Sequence, residues 1–174
     1  MSNTQTVTIA PAGTWELDAV HSSVGFEVEY MGGTFKGSFR EIDATLVVGE
    51  DAVSLEGSAQ VASVDVKDEQ LNGHLQTPDF FDADRFPEIT FRTSDLETGE
   101  LTIKGVTRPV KIEATVSEPN VDPFGRERVG IKLAATVDRN EYGVSWNAPN
   151  QGGGNYLGDD VTITADLALV RQAA

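Results

Sequence analysis

The sequence predicts an all-β fold, a single antiparallel β-barrel of eight strands with one short helix or lid between strands. Apolar residues alternate with polar ones over most of the chain, which is typical of strands with one dry and one wet face. Turn-forming residues separate these runs at short intervals, and short connections favour antiparallel pairing of consecutive strands. About eight strands result, and a barrel of eight either fills with its own side chains or holds one small ligand.

Alternation is clearest in five runs of the chain. Their apolar members are Val24, Phe26, Val28 and Tyr30; Ile42, Ala44, Leu46 and Val48; Val110, Ile112, Ala114 and Val116; Val129, Ile131, Leu133, Ala135 and Val137; and Val161, Ile163, Ala165, Leu167 and Leu169. Turns are expected between the runs, where glycine, proline and short polar residues gather. The glycine-rich segment 150–154 is interpreted as one of these turns, because it lacks the Lys and Ser or Thr of a phosphate-binding loop.

Residues 68–76 break the period-two pattern and predict a short helix. Asp68 can cap its first turn, and Leu71 and Leu75 lie one turn apart on the same face. The helix should end before Pro78, because proline disfavours a helical predecessor.

An aromatic segment, 79–87, follows the helix. It carries three phenylalanines in an otherwise polar connection, Phe80, Phe81 and Phe86. Polar loops rarely hold so much aromatic surface unless it folds back onto the protein. We therefore predict a plug or lid over one end of the barrel.

Length and composition restrict the function classes. The 174 residues fit one barrel domain over 13–170, with a flexible N-terminal segment 1–12 and a C-terminal tail 171–174. A net charge of -15 argues against nucleic acid and anionic lipid surfaces as partners, since both attract clustered Lys and Arg. Residues 1–12 contain no Lys or Arg and no apolar run, so we expect a cytoplasmic protein, periplasmic or secreted only if an upstream signal was removed. No stretch suggests stable membrane insertion.

Motifs for catalysis and metal binding are not found. Asp18, His21 and Ser22 are the local grouping of triad residue types, but neighbours on a strand or tight turn point in different directions, so we expect a structural role. Two distant histidines without cysteine do not fit zinc spacing. The acidic cluster at 79–84 lacks the ligand alternation of a calcium loop. We predict no catalytic residue, no metal and no cofactor.

Seven segments, in this order and spacing, resemble the YceI-like family of polyisoprenoid-binding or lipid-binding proteins. They are 15–26 (WELDAVHSSVGF), 33–39 (GTFKGSF), 72–82 (NGHLQTPDFFD), 86–91 (FPEITF), 99–110 (GELTIKGVTRPV), 138–143 (DRNEYG) and 157–161 (LGDDV). The resemblance runs from about 13 to 170. It implies an extended, lipocalin-like barrel with a long apolar pore that holds a polyisoprenoid or fatty-acyl compound in some members. Many members are exported to the periplasm, whereas residues 1–12 of this chain do not resemble a signal, so we do not expect the exported role here.

The predicted function is binding or carrying an elongated apolar ligand, such as a polyisoprenoid, an isoprenoid quinone precursor or a fatty-acyl compound. The predicted pore residues are Phe26, Val28, Phe35, Phe39, Leu71, Leu75, Phe80, Phe81, Phe91, Ile103, Ile112 and Trp146. Candidate cations for a head group are Lys36, Arg85, Arg92, Arg126 and Arg128. The same aromatic residues could instead fill the interior of a structural or stress-related barrel, and an enzyme for a small apolar substrate is a third alternative. A homodimer is possible.

Overall fold

The computed structural model describes residues 10–148 and 156–173. It contains one α-helix, α1 (Glu69–Leu75), and strands with the following bounds. They are β1 (Gly13–Leu17), β2 (Ser23–Tyr30), β3 (Gly33–Phe39), β4 (Ile42–Val48), β5 (Val53–Gln60), β6 (Val64–Asp65), β7 (Glu88–Thr93), β8 (Thr98–Ile103), β9 (Val106–Lys111), β10 (Glu113–Val116), β11 (Asn120–Val121), β12 (Glu127–Asp138) and β13 (Leu157–Arg171). The turn predicted over 150–154 and most of the N-terminal segment 1–12 lie outside the described residues.

The strands form one antiparallel sheet in the order β6-β3-β2-β13-β1-β4-β5-β7-β8-β9. The long strand β13 organises the sheet, because β12 pairs along one of its edges while β2 and β1 pair with successive parts of the other. On the far side of β12, the short strands β10 and β11 add to the sheet. The all-β antiparallel prediction with one short helix is thus confirmed.

The strand count and the closure of the barrel need correction. The described chain has thirteen strands rather than eight, and one reason is a break that divides the run 110–116, which the alternation pattern joins, into β9 and β10. This break is at Ile112, whose amide donates to Glu97 O at 2.9 Å, next to the last pair of β8 and β9, Thr98 with Lys111. On either side of it β9 pairs with β8 and β10 pairs with β12. Hydrogen bonds among the described strands therefore do not close the sheet, and the wall continues from β9 to β12 through the covalent chain.

Helix α1 begins as its sequence predicts. Both Gln70 N and Leu71 N donate to the carboxylate of Asp68, at 2.8 and 3.1 Å. The segment 79–87, which we call the lid, folds back onto the end of the helix: Phe81 N donates to Leu75 O at 3.0 Å. These backbone bonds hold the aromatic side chains of the lid against the sheet.

Two apolar clusters lie inside the sheet. One is closely packed around Trp15, Leu46, Ile131 and Leu169, whose side chains are fully buried. Trp15 also donates its indole N–H to Pro11 O at 3.0 Å. The other cluster joins α1 and the lid to the inner faces of the strands, and many of its members are only partly buried. The difference arises because the second cluster surrounds a cavity.

Candidate ligand-binding cavity

A cavity of about 430 Å³ lies inside the sheet. Side chains such as Phe26, Leu133 and Ile163 point inward yet keep some exposed surface, because they face this space rather than another side chain. Pockets for small molecules usually measure about 300 to 1,000 Å³ and are mostly apolar. This cavity meets both criteria.

The closely packed cluster forms one boundary of the cavity. Its members Ala44, Leu55 and Leu167 also line the cavity, so this cluster is the floor. Helix α1 contributes Leu71 and Leu75 to the wall, and the lid contributes Phe80 and Phe81. The cavity therefore lies between a fully packed region and a covering helix with its lid.

Every residue predicted to line the pore does line this cavity. These are Phe26, Val28, Phe35, Phe39, Leu71, Leu75, Phe80, Phe81, Phe91, Ile103, Ile112 and Trp146. Phe86 is the exception among the lid phenylalanines: a Cβ at Gly105 would meet its ring at 2.5 Å, which places Phe86 over the β8–β9 turn. That the twelve residues contact a ligand stays a prediction.

Aromatic rings form one continuous group in the wall. The ring centroid of Phe26 lies 5.7 Å from that of Phe39 and 6.4 Å from that of Phe81. The centroids of Phe39 and Phe81 are 5.9 Å apart, and these two rings meet edge to face. These are favourable separations for aromatic pairs. The lid residue Phe81 is thereby anchored to β2 and β3.

A second aromatic group connects α1 to the segment after β12. His74 stacks edge-on against Phe80 and Trp146, with centroid distances of 5.0 and 4.9 Å. Its Nε2 lies 2.9 Å from Asp79 Oδ2, so the imidazole is already hydrogen-bonded. Lys104 bridges the same region by donating to Pro78 O and Gly143 O.

Arg139 is a buried cation in the cavity wall. The residue is 6% exposed, and it lies in a 3₁₀ turn, Arg139–Tyr142, directly after β12. Burial lowers the pKa of its guanidinium, an effect that the charges of Asp159 and Asp138 oppose. An arginine nevertheless stays charged in a protein.

Tyr142 ends the same turn and also lines the cavity. It is 1% exposed, and burial raises the pKa of its phenol. The hydroxyl therefore keeps its proton at neutral pH and can donate a hydrogen bond. Neither Arg139 nor Tyr142 is among the site residues predicted from the sequence. The available signal was the DRNEYG segment, in which a strand ends in a capped turn stopped by Gly143 at φ 75°.

The five predicted head-group cations lie elsewhere, since none of them lines the cavity. Each has a carboxylate within reach: Lys36 has Glu27 at 3.6 Å, Arg85 has Asp82 at 3.5 Å, Arg92 has Glu100 at 2.7 Å, and Arg126 and Arg128 have Asp122 at 3.1 and 2.7 Å. Their charges are thus neutralised by neighbouring side chains. A head-group role for these five stays a prediction without support from the cavity geometry.

The local grouping of Asp18, His21 and Ser22 does not have the geometry of a catalytic triad. Ser22 Oγ donates to Asp18 O at 2.7 Å and accepts from Ala168 N at 2.9 Å, so its hydrogen bonds go to the backbone. The Asp18 carboxylate accepts from Arg128, and this bond, with a further one from His21, lowers the pKa of Asp18 to about 2. The grouping ties the β1–β2 connection to β12.

Within the described ranges, 10–148 and 156–173, no helix has both the length and the apolar character needed to cross a bilayer. Nor do three or more His, Asp or Glu side chains in those ranges converge on a metal-binding position.

Comparison with known proteins places this fold and cavity in a family. A model of the YceI-like domain matches residues 15–169. A UPF0312 protein of Staphylococcus aureus strain USA300 is 34% identical over 159 residues, which cover 86% of this chain and 92% of the relative. The corresponding protein of strain N315 is 33% identical over the same coverage.

Solved structures share the fold at lower identity. The crystal structure of Burkholderia cenocepacia BcnA superposes with a TM-score of 0.73 at 23% identity, over 87% of this chain and 98% of that one. A polyisoprenoid-binding domain from Saccharophagus degradans, implicated in plant cell wall breakdown, gives 0.72 at 13% identity, over 91% and 98%. The match of the domain model across nearly the whole described sheet, together with the S. aureus relatives, shows that this chain belongs to the YceI-like family.

Proposed function

We propose that this protein binds and carries one elongated apolar ligand, a polyisoprenoid, an isoprenoid quinone precursor or a fatty-acyl compound, in the cavity beneath the lid. The cavity of about 430 Å³ carries the proposal, because its wall is almost wholly apolar. Family membership supports apolar ligand binding in general, and the S. degradans neighbour is described as polyisoprenoid-binding. Binding, rather than catalysis, is the role that these relatives favour.

The size of the cavity argues against the alternative of a filled structural barrel. Close-packed interiors leave few voids larger than a water molecule. A space of about 430 Å³ lined by Phe26, Leu133 and Ile163 is far larger than such a void. Cytoplasmic location and a homodimer stay predictions.

Apolar burial supplies the binding free energy in this proposal. Each buried methylene contributes about 0.8 kcal/mol, which is about a fourfold change in the dissociation constant. Discrimination between chains of similar length and shape should be weak, because the hydrophobic effect is non-directional. The protein should accept several tails and prefer those that fill the cavity.

A tail-length series tests the proposal. Isothermal titration calorimetry with saturated fatty acids of 8, 10, 12, 14 and 16 carbons should show affinity rising by about fourfold per methylene until the cavity is full, and then levelling off. Heat capacity changes should be negative, since apolar surface is buried. Affinities that are independent of tail length, or no binding by any acid of the series, would overturn the proposal.

A further inference from the structure

Arg139 differs from every other arginine of the described chain. The other seven each have a carboxylate oxygen within 4.0 Å, with partners at distances from 2.7 to 3.5 Å. Arg139 has no such partner among the described residues, although it is only 6% exposed. The carboxylates of Asp138 and Asp159 act on its charge from a distance but make no ion pair with it, whereas buried ions in proteins are usually paired directly.

Backbone carbonyls satisfy only part of the guanidinium. Nε donates to Gly158 O at 2.8 Å, and Nη1 donates to Val144 O at 2.7 Å and to Trp146 O at 2.8 Å. A guanidinium has five N–H donors, and the two on Nη2 have no acceptor among the described residues. Because no buried polar side-chain atom of the described residues lacks a partner, the unbonded Nη2 keeps accessible surface, and Arg139 lines the cavity that an occupant would fill.

Tyr142 is a second residue of this turn that carries a hydrogen-bond donor and lines the cavity. Side chains at i and i+3 of a 3₁₀ helix eclipse one another, so Arg139 and Tyr142 lie on the same face of the turn, and both line the cavity. Both are buried, whereas Asn140 and Glu141 between them are exposed. The charged groups that act on the Tyr142 phenol are Arg108 and Glu141. The Tyr142 hydroxyl has no hydrogen-bond partner among the described residues, in contrast to His74, which is bonded to Asp79.

We infer that Arg139 and Tyr142 form a head-group site that binds the anionic oxygen atoms of the apolar ligand, as found in a carboxylate or a phosphate. Charged hydrogen bonds from a guanidinium suit both groups. Most of the remaining wall is apolar, so the tail lies along the cavity while the head is held at the turn. This inference rests on the proposed function, because the apolar tail is what brings the anion into the cavity.

Matched probes test the head group without altering the protein. Palmitate and hexadecyl phosphate carry an anion on a 16-carbon tail, and hexadecanol carries none. We expect both anions to bind about 10-fold to 100-fold more tightly than hexadecanol, the range of a hydrogen bond to a charged group. The tighter of the two anions identifies the preferred head group.

A conservative variant tests whether the Tyr142 hydroxyl contributes to ligand binding. Tyr142→Phe removes one hydroxyl and should weaken palmitate binding by about 2-fold to 10-fold. Tyr156→Phe is the matched control, because Tyr156 does not line the cavity and should leave palmitate binding unchanged. Urea unfolding of both variants checks that the fold is retained.

The pKa of the bound carboxyl group provides a further test, because it shifts in one direction if the head-group site exists and in the other if it does not. Burial alone raises the pKa of a carboxyl group, whereas an adjacent guanidinium lowers it. A titration of carboxyl-labelled [1-13C]palmitate by NMR should therefore show the bound carboxyl below its ordinary pKa. A raised pKa, together with equal affinity for palmitate and hexadecanol, would overturn the head-group site and leave tail binding intact. Failure of all three probes to bind would overturn the proposed function itself.

Discussion

Filling the cavity from its wall should abolish ligand binding without unfolding the protein. Ala135 on β12 and Ala165 on β13 both line the cavity, and their strand partners, Ile163 and Leu133, line it too. Phenylalanine at each position would add a ring to the space. A cavity of about 150 Å³ accommodates one benzene, so each ring takes about a third of the 430 Å³.

The double variant Ala135→Phe/Ala165→Phe would then leave about 130 Å³, less than half of the roughly 300 Å³ that ligand pockets need. A tail that loses contact over three methylenes loses about 2.4 kcal/mol, which is about 60-fold in affinity. We expect at least this loss for palmitate. Without ligand, the free energy of unfolding of the double variant should equal that of the parent or exceed it by up to about 2 kcal/mol. The reason is that the apolar surface buried by the new rings stabilises the fold, while strain offsets part of this gain.

Calorimetric titration with palmitate and urea unfolding measure the two quantities. Thr136→Phe is the matched control, since Thr136 is the next residue along β12 and is exposed on the opposite face. That variant should bind palmitate as the parent does. If the double variant is folded and still binds palmitate with the parent's affinity, the ligand does not occupy this cavity and the reasoning fails.

Three further predictions concern stability. Replacing the fully buried Trp15 by Ala should lower the free energy of unfolding by about 3 to 5 kcal/mol, measured in urea, because the indole and its bond to Pro11 O are lost. The pKa of Asp18 is lowered to about 2 by Arg128, so its contribution to stability is present above the unfolded pKa and is lost as pH falls through about 2. The stability difference between the parent and Asp18→Asn should therefore shrink between about pH 4 and pH 2 in acid-dependent urea unfolding, and a constant difference would contradict this assignment. Asp68→Ala should cost about 1 kcal/mol through the lost cap and should speed amide exchange in α1, where an unchanged exchange rate would argue against the cap.

The sequence predicted the lining of the cavity because that depends on local rules. Inward residues such as Phe26 and Ile112 follow from the period of two along a strand. The helix followed from Asp68 and the spacing of Leu71 and Leu75, which are also local features.

Features that depend on distant parts of the chain could not be predicted in the same way. The break at Ile112 separates a strand that pairs with β8 from a strand that pairs with β12, and only the folded chain decides these partners. The sequence does not show which arginine becomes buried, because arginine is mostly exposed in proteins. Arg139 is buried because the carbonyls of Val144, Trp146 and Gly158 converge on it, and only the folded chain brings them together.

Native mass spectrometry of the protein purified from its own host, followed by organic extraction, tests the central claim most directly. We expect one co-purifying lipid or isoprenoid per chain, with an anionic head on an apolar tail. A protein that is empty as isolated, and that also takes up no long-chain acyl or prenyl probe afterwards, would contradict it.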